Sequence, residues 1–226
     1  MQRIVVALLL TVWIMQAQAS AQVTVYTSQA AFQAALSPTP AYYKETFDSL
    51  TQDPTPIFNF SSAPYSYTAT APTSNLFVNN TPDNVDIWLS PSSNTDSIVF
   101  TFTSNNISAA GGFFFTTDSG GLAAPGTIQV TVNGNPTQTI TLTDPTSFLG
   151  FTSSSPFSTL TVTAVQGAQD LWPNANDFIV GVAAVPEPAT WALIGISTSC
   201  LAGGIVYRRR KRLAEESAEV DIPVSA

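Results

Sequence analysis

Eighteen consecutive positions from Thr190 to Tyr207 carry no charge, and Arg208, Arg209, Arg210, Lys211 and Arg212 follow at once. At about 1.5 Å rise per residue such a run makes a helix of ~27 Å. That is the short end of what crosses a hydrocarbon core of ~30 Å. A helix buried in a water-soluble core would end by burying five unpartnered cations. A spanning helix instead leaves its basic cluster on the cytoplasmic side, where such clusters stay. The run therefore predicts one C-terminal transmembrane helix over 190–207, oriented by Arg208–Arg212, with the preceding chain outside the cytoplasm. Pro186-Glu187-Pro188 stands just before it, and proline holds the residue ahead of it extended. Residues 213–226 form an acidic cytoplasmic tail with Glu215, Glu216, Glu219 and Asp221.

A Pro-Glu-Pro tripeptide, an apolar span and an arginine-rich block, in that order over 185–212, resemble the PEP-CTERM sorting signal of bacterial surface proteins. The resemblance implies a substrate of exosortase, a membrane-embedded enzyme that cuts near the motif and releases or transfers the outer part. One departure is the acidic tail, since the signal usually ends soon after its arginines.

The other terminus also carries an address. Arg3 supplies a charged start, Ile4–Met15 an apolar core, and Ala17-Gln18-Ala19 and Ala19-Ser20-Ala21 two overlapping small-x-small cleavage sites. Residues 1–21 thus read as a signal peptide. A permanent N-terminal anchor is the other reading of the same run, disfavoured because it is short and small residues follow directly. The exported part is 22–184, long enough for one domain with a sizeable core.

Within that domain Lys44 is the only cation, against Glu45, Asp48, Asp53, Asp83, Asp86, Asp96, Asp118, Asp144, Asp170 and Asp177. One lysine and ten carboxylates leave a balance of −9, which argues against nucleic acid, whose phosphates require Lys and Arg. The chain has no histidine, and its single cysteine, Cys200, lies in the predicted span. Ser-His-Asp and Cys-His nucleophile systems, intrachain disulfides and cysteine zinc sites are excluded.

The domain's pattern is β. Val23–Tyr26 alternates, and Thr27 or Ser28 can N-cap a short helix over Gln29–Leu36 with Phe32 and Leu36 on one face. Pro38 and Pro40 end it. Strands are expected at Asn84–Leu89, Ser97–Thr103, Gly112–Thr117, Thr127–Val132, Gln138–Thr143, Ser158–Val165 and Asp177–Val182. Asn133-Gly134 favours a hairpin turn between the fourth and fifth of these. Gly111-Gly112 predicts a bulge or a close backbone approach leading into a doubly buried strand. Short strands with few helices predict a mainly β chain, an antiparallel β-sandwich of jelly-roll or lectin-like type. Gly111–Asp118, Val130–Gly134 and Asn176–Val180 are also similar to ectodomains often found with the sorting signal, usually lectin-like sandwiches without assigned activity.

Candidate chemistry is sparse. Glu45, Asp48 and Asp177 can meet if the first and last strands lie side by side, and their hard oxygens suit a structural Ca²⁺. Solvated acids at loop ends are the plainer reading. Asp83 and Asp86 point to opposite faces of a strand. Trp88 and Trp172 can stack on a sugar or fill the sandwich, as can Tyr65 and Tyr67, which share a strand face. The whole predicts a non-enzymatic, structural or adhesive protein of the cell surface or extracellular matrix, partnered by membrane, exosortase and extracellular polysaccharide. A calcium-dependent carbohydrate-binding module and a paired-carboxylate glycan hydrolase are the alternatives.

Overall fold

Alternation decides most strands in the computed structural model, which describes residues 23–51, 53–81, 86–132, 137–142 and 147–184. The order is β1 (Val23–Tyr26), α1 (Gln29–Ala34), β2 (Tyr43–Glu45), β3 (Ile57–Ser62), β4 (Tyr65–Thr70), β5 (Leu76–Asn80) and β6 (Ile87–Pro91). There follow β7 (Ser97–Phe102), β8 (Ala109–Thr117), β9 (Gly126–Val132), β10 (Thr137–Leu142), β11 (Phe148–Ser153), β12 (Thr159–Val165) and β13 (Trp172–Gly181). All pairings are antiparallel. One sheet runs β10-β9-β12-β7-β4-β3; the other runs β1-β11-β8-β13-β6-β5, with β2 also on β13.

The first sheet has one wet face. Ile98, Phe100 and Phe102 of β7, Leu160, Val162 and Ala164 of β12, and Ile128, Val130 and Val132 of β9 are buried at every second position. Most residues of the opposite face, such as Ser97, Thr101, Thr131, Thr161 and Thr163, carry hydroxyls, and the Ser97 and Thr163 hydroxyl oxygens pair across strands at 2.8 Å. This is the period of two of a half-buried antiparallel sheet.

The second sheet is covered on both faces, so its central strands lose alternation. β11 is buried at every position and β8 at all but Phe113. Its inner face packs on the first sheet, where the rings of Phe178 (β13) and Phe100 (β7) stack with centroids 3.9 Å apart and planes within 10°. The outer face is closed by α1 and the turn after it, through Phe32 and Leu36 against Ala109, Phe148 and Ile179. Ser28 is the N-cap and accepts from the Ala31 amide at 3.4 Å. The helix ends at Ala34, two residues short of expectation, and Leu36 passes into a bridge with Ala183.

The glycine pair has the anticipated effect in two separate ways. Gly111 lies opposite Gly150 of β11, and a Cβ on Gly111 would sit 2.7 Å from the Gly150 Cα, so the two backbones approach closely. Gly112 faces a bulge on the neighbouring strand: the β13 register slips by one between Asn176 and Ile179. Asp177, in the bulge, has φ +51°, a left-handed conformation that Asp tolerates better than most residues. Phe178 places its ring beside the missing side chain of Gly112.

The pairing of β9 with β10 confirms the expected hairpin, whose turn at 133–136 lies outside the described residues. Five strands have no range in the sequence expectation: β2, β3, β4, β5 and β11, although the strand face shared by Tyr65 and Tyr67 is that of β4. Three others shift markedly in extent. The sixth begins at Ile87 rather than Asn84 among the described residues, the eighth starts three residues earlier, at Ala109, and the last starts five residues earlier, at Trp172. The compact unit ends at Ala184. The predicted signal peptide, the span over 190–207 and the tail lie outside the described residues. Among the described residues no helix is long and apolar enough to cross a membrane.

Candidate functional site

β2 is short because both its neighbours in sequence turn away, yet it holds the only cation of the domain against the longest strand. Tyr43, Lys44 and Glu45 pair with Val180, Ile179 and Phe178, so the last strand lies beside β2 and not beside the first strand, β1, which pairs with β11 instead. Lys44 Nζ stands 2.7 Å from Asp177 Oδ2, both side chains about one-third exposed or less. The bulge makes this possible by turning the Asp177 carboxylate out of the strand's regular alternation.

Glu45 takes different partners. Its Oε1 accepts from the Phe47 amide at 2.9 Å and its Oε2 from the Tyr43 hydroxyl. Burial first, then the hydrogen bond to Glu45 and its negative charge, push the Tyr43 phenol well above its ordinary range. Tyr67, almost wholly buried, is raised for the same reasons: burial foremost, then Tyr43 and Glu45 nearby. Both phenols therefore stay protonated at any physiological pH. Asp48 is exposed on the connection leading away from β2. The structure thus brings Glu45 and Asp177 to adjacent register positions but commits each to a separate partner. Among the described residues no group of three or more His, Cys, Asp or Glu side chains could hold a metal ion.

Lys44→Met should remove at most about 1 kcal/mol, because a partly exposed ion pair is screened and costs side-chain entropy. Its melting temperature should approach that of the parent as salt rises toward 1 M. A gap that persists in high salt would mean that packing of the lysine stem, not charge, holds β2.

The tryptophans sit in different surroundings. Trp88 is buried with its ring edge-on to Phe115, centroids 5.3 Å apart. Trp172 is half-buried at the start of β13, paired with Thr117. Tyr65 and Tyr67 both point into the sandwich; the Tyr65 hydroxyl donates to the Pro40 carbonyl at 3.2 Å. Asp86 accepts from Asn176 Nδ2 at 2.7 Å; Asp83 lies outside the described residues.

One carboxylate has a purely architectural role that sequence reading passed over. Asp96 is 5% exposed. It accepts from the Thr73 amide at 2.9 Å, the Thr73 hydroxyl at 3.0 Å and the Ser97 amide at 2.9 Å. Burial alone would raise its pKa, but hydrogen bonds from Thr73, Ser97 and Ser74 outweigh it and hold the carboxyl below its ordinary value of 3.8. A depressed folded pKa gives stability that is fully present above the unfolded value and is lost as pH falls through the folded one. Asp96→Asn should therefore cost about 1–3 kcal/mol at pH 7. The difference from the parent should narrow in urea titrations run below pH 3.8. A pH-independent difference would refute the assignment.

The chain leaves this domain under restraint. Ser37 N donates to the Val182 carbonyl at 2.8 Å, Leu36 bridges Ala183, and Ala184 N donates to the Ala35 carbonyl at 2.8 Å. Main-chain bonds from the turn after α1 thus hold the strand up to the residue before Val185. Pro186, Glu187, Pro188 and the basic block Arg208, Arg209, Arg210, Lys211 and Arg212 lie outside the described residues. Residues 184–211 match the family described as the PEP-CTERM protein-sorting motif. The chain therefore carries the mark of an exported surface protein handled by an exosortase. No curated protein matches the sequence.

Proposed function

We propose that the chain is a non-enzymatic structural or adhesive protein of the bacterial surface or extracellular matrix, delivered as a precursor and cut by exosortase near Pro186–Pro188. The observation that carries this reading is the junction. A sorting motif over 184–211 begins where the last main-chain bond of the sandwich, Ala184 to Ala35, ends. The signal peptide over 1–21 exports the chain, the apolar run over 190–207 arrests it, and Arg208–Arg212 fix its orientation. The exported part is a jelly roll. Its strands interleave as β6-β13-β8-β11 facing β7-β12-β9-β10, the order of an eight-stranded, double-sheet jelly roll built of Greek keys. Such a body offers a rigid hydroxyl-rich face, suited to hydrated polysaccharide, with its aromatic mass spent on the core.

Intact mass and terminal peptide mapping of the protein recovered from cells and medium test this directly. The expected product starts near Gln22 and ends close to Pro186–Pro188. A surface product that retains 213–226 overturns processing and leaves a permanently anchored protein.

A further inference from the structure

We propose that the outer face of the second sheet holds a binding site for one unit of a neutral sugar, beneath the loop 118–122 that follows β8. The inference rests on the adhesive reading above and names its ligand class; delivery and processing do not enter it. α1 covers the half of that face made by Ala109, Phe148 and Ile179. Strand alternation places a second group of side chains on the other half. Phe115 and Thr117 of β8 stand two and four positions beyond Phe113, whose ring meets Phe148 on the outer side. Asn174 of β13 lies opposite Phe115, and Trp88 of β6 precedes Leu89, which pairs with Ala175. Phe115, Thr117, Asn174 and Trp88 therefore share the outer face, and each is 4% exposed or less.

Two buried polar atoms of this group have no hydrogen-bond partner among the described residues: the Trp88 Nε1 donor and the Asn174 Oδ1 acceptor. Buried polar groups are nearly always paired, so a spare donor beside a spare acceptor calls for a third party. Their neighbours fix where they point. Asn174 Nδ2 donates to Thr117 Oγ1 at 3.1 Å and to the Phe115 carbonyl at 3.4 Å, both on β8. Oδ1 is thereby turned away from β8, toward β6. Trp88 leans the opposite way, with its ring centroid 5.3 Å from that of Phe115. Since β13 separates β6 from β8, the indole lies over β13, the strand that carries Asn174. Donor and acceptor share the space above that strand.

The loop crosses the same space. A Cβ on Gly121 would fall 2.3 Å from Asn79 Nδ2, so the loop tip rests on that side chain. Asn79 belongs to β5, three strands from β8, and pairs with Trp88. To reach it from Thr117 the chain passes over β13 and β6. The loop is also stitched to itself. Asp118 Oδ1 accepts from the Gly120 and Leu122 amides at 2.9 and 3.0 Å, and the Gly121 amide donates to the Asp118 carbonyl at 3.0 Å. Asp118, Ser119, Gly120, Leu122 and Ala123 stay exposed. The loop can thus lift as a unit and give up little buried area, as binding loops do.

The chemistry selects the ligand. Aromatic carbon with a spare donor and a spare acceptor suits a molecule with apolar ring faces and hydroxyls around its edge. Each hydroxyl both gives and takes a hydrogen bond. The four side chains carry no charge, and Asp118 spends its carboxylate on its own loop. A neutral sugar meets these demands and needs no cation to hold it.

The test uses the full chain in a detergent without a sugar headgroup. Saturation-transfer NMR is run against neutral mono- to tetrasaccharides of glucose, galactose, mannose and xylose. Transfer to at least one of them is expected. Trp88→Phe deletes the donor and breaks no described hydrogen bond; it should weaken Kd about tenfold or more. Asn79→Ala unseats the loop and should tighten the same binding several-fold, because a larger share of molecules is then open. Asn79 is a half-buried residue of an edge strand, so this variant carries the test should Trp88→Phe fail to fold. Binding that neither variant changes overturns the proposal. Binding lost instead in Thr101→Val, on the hydroxyl-rich face of the first sheet, overturns it and moves the ligand there. Retention of the chain by washed extracellular matrix tests the adhesive reading separately. Retention with silence across the sugar panel overturns this proposal alone; silence in both overturns both.

Discussion

Gly111→Val is expected to prevent the full chain from reaching its native fold. A Cβ at Gly111 would lie 2.7 Å from the Gly150 Cα and 2.8 Å from the Leu149 carbonyl oxygen. Both are backbone atoms of β11, so no rotamer change relieves the overlap, and a β-branched side chain adds two more atoms to it. The ladder between β8 and β11 must open, which also detaches β1, since β1 has no other neighbour in the sheet. Gly150 offers no room either, because its own missing Cβ position is 2.6 Å from the Phe32 ring. The cost should exceed about 4 kcal/mol, in the range that marks a forced backbone shift, out of a total stability of about 5–15 kcal/mol. Gly167→Ala provides the control: its Cβ would meet nothing within 4 Å, and the change should stay within about ±0.5 kcal/mol. Near-ultraviolet circular dichroism and protease resistance report the outcome. A cooperative melt of Gly111→Val close to that of the parent would show that β8 and β11 are not as tightly apposed as described.

The same contrast explains what the sequence could reveal. Strands of the sheet with one wet face announce themselves, because water and core impose opposite demands on neighbouring residues; β7 and β9 are cases where Ile98, Phe100 and Phe102, or Ile128, Val130 and Val132, recur at every second position. β11 gives no such sign. Phe148-Leu149-Gly150-Phe151-Thr152-Ser153 is buried throughout, and a short apolar run with glycine reads as poorly in a strand as in a loop. The first half of β13 is masked differently, by Pro173 and two asparagines. Asn174 is fully buried, and its amide donates to Thr117 Oγ1 at 3.1 Å and the Phe115 carbonyl at 3.4 Å, partners that only the finished sheet brings within reach. The sorting motif was legible because its information is linear: tripeptide, span and basic block in order. The gathering of Asp53, Asp96, Asp118 and Asp170 was not, since they become neighbours of one end only after the registers place their loops there.

The stacked pair Phe100–Phe178 should carry the largest side-chain contribution that joins the two sheets. Both residues are 0% exposed, and Tyr67 closes on Phe178 edge-on with centroids 5.3 Å apart. Phe178→Ala removes the ring that fills the space left by Gly112, which glycine cannot refill, and leaves a cavity against β7. Each single replacement by alanine should cost about 3–5 kcal/mol from transfer and cavity terms. For a domain of this size that lowers the melting temperature by about 6–20 °C, at about 2–4 °C per kcal/mol. The double variant should cost less than the sum of the singles, by at least the ~0.5–1.5 kcal/mol that aromatic contact contributes beyond area. Additivity within error would mean that the rings pack on the sheets independently and that the interface is held by area alone. A shortfall places the join between sheets at β7 and β13. β13 is also the strand that carries the bulge, binds β2 and runs on through the Ala35 restraint toward the sorting motif, so loosening it should expose the junction as well as the core. Protease cleavage near Ala184 ought then to rise in Phe178→Ala at temperatures where the parent is still protected, and cleavage that stays unchanged there would separate the restraint at Ala184 from the packing beneath it.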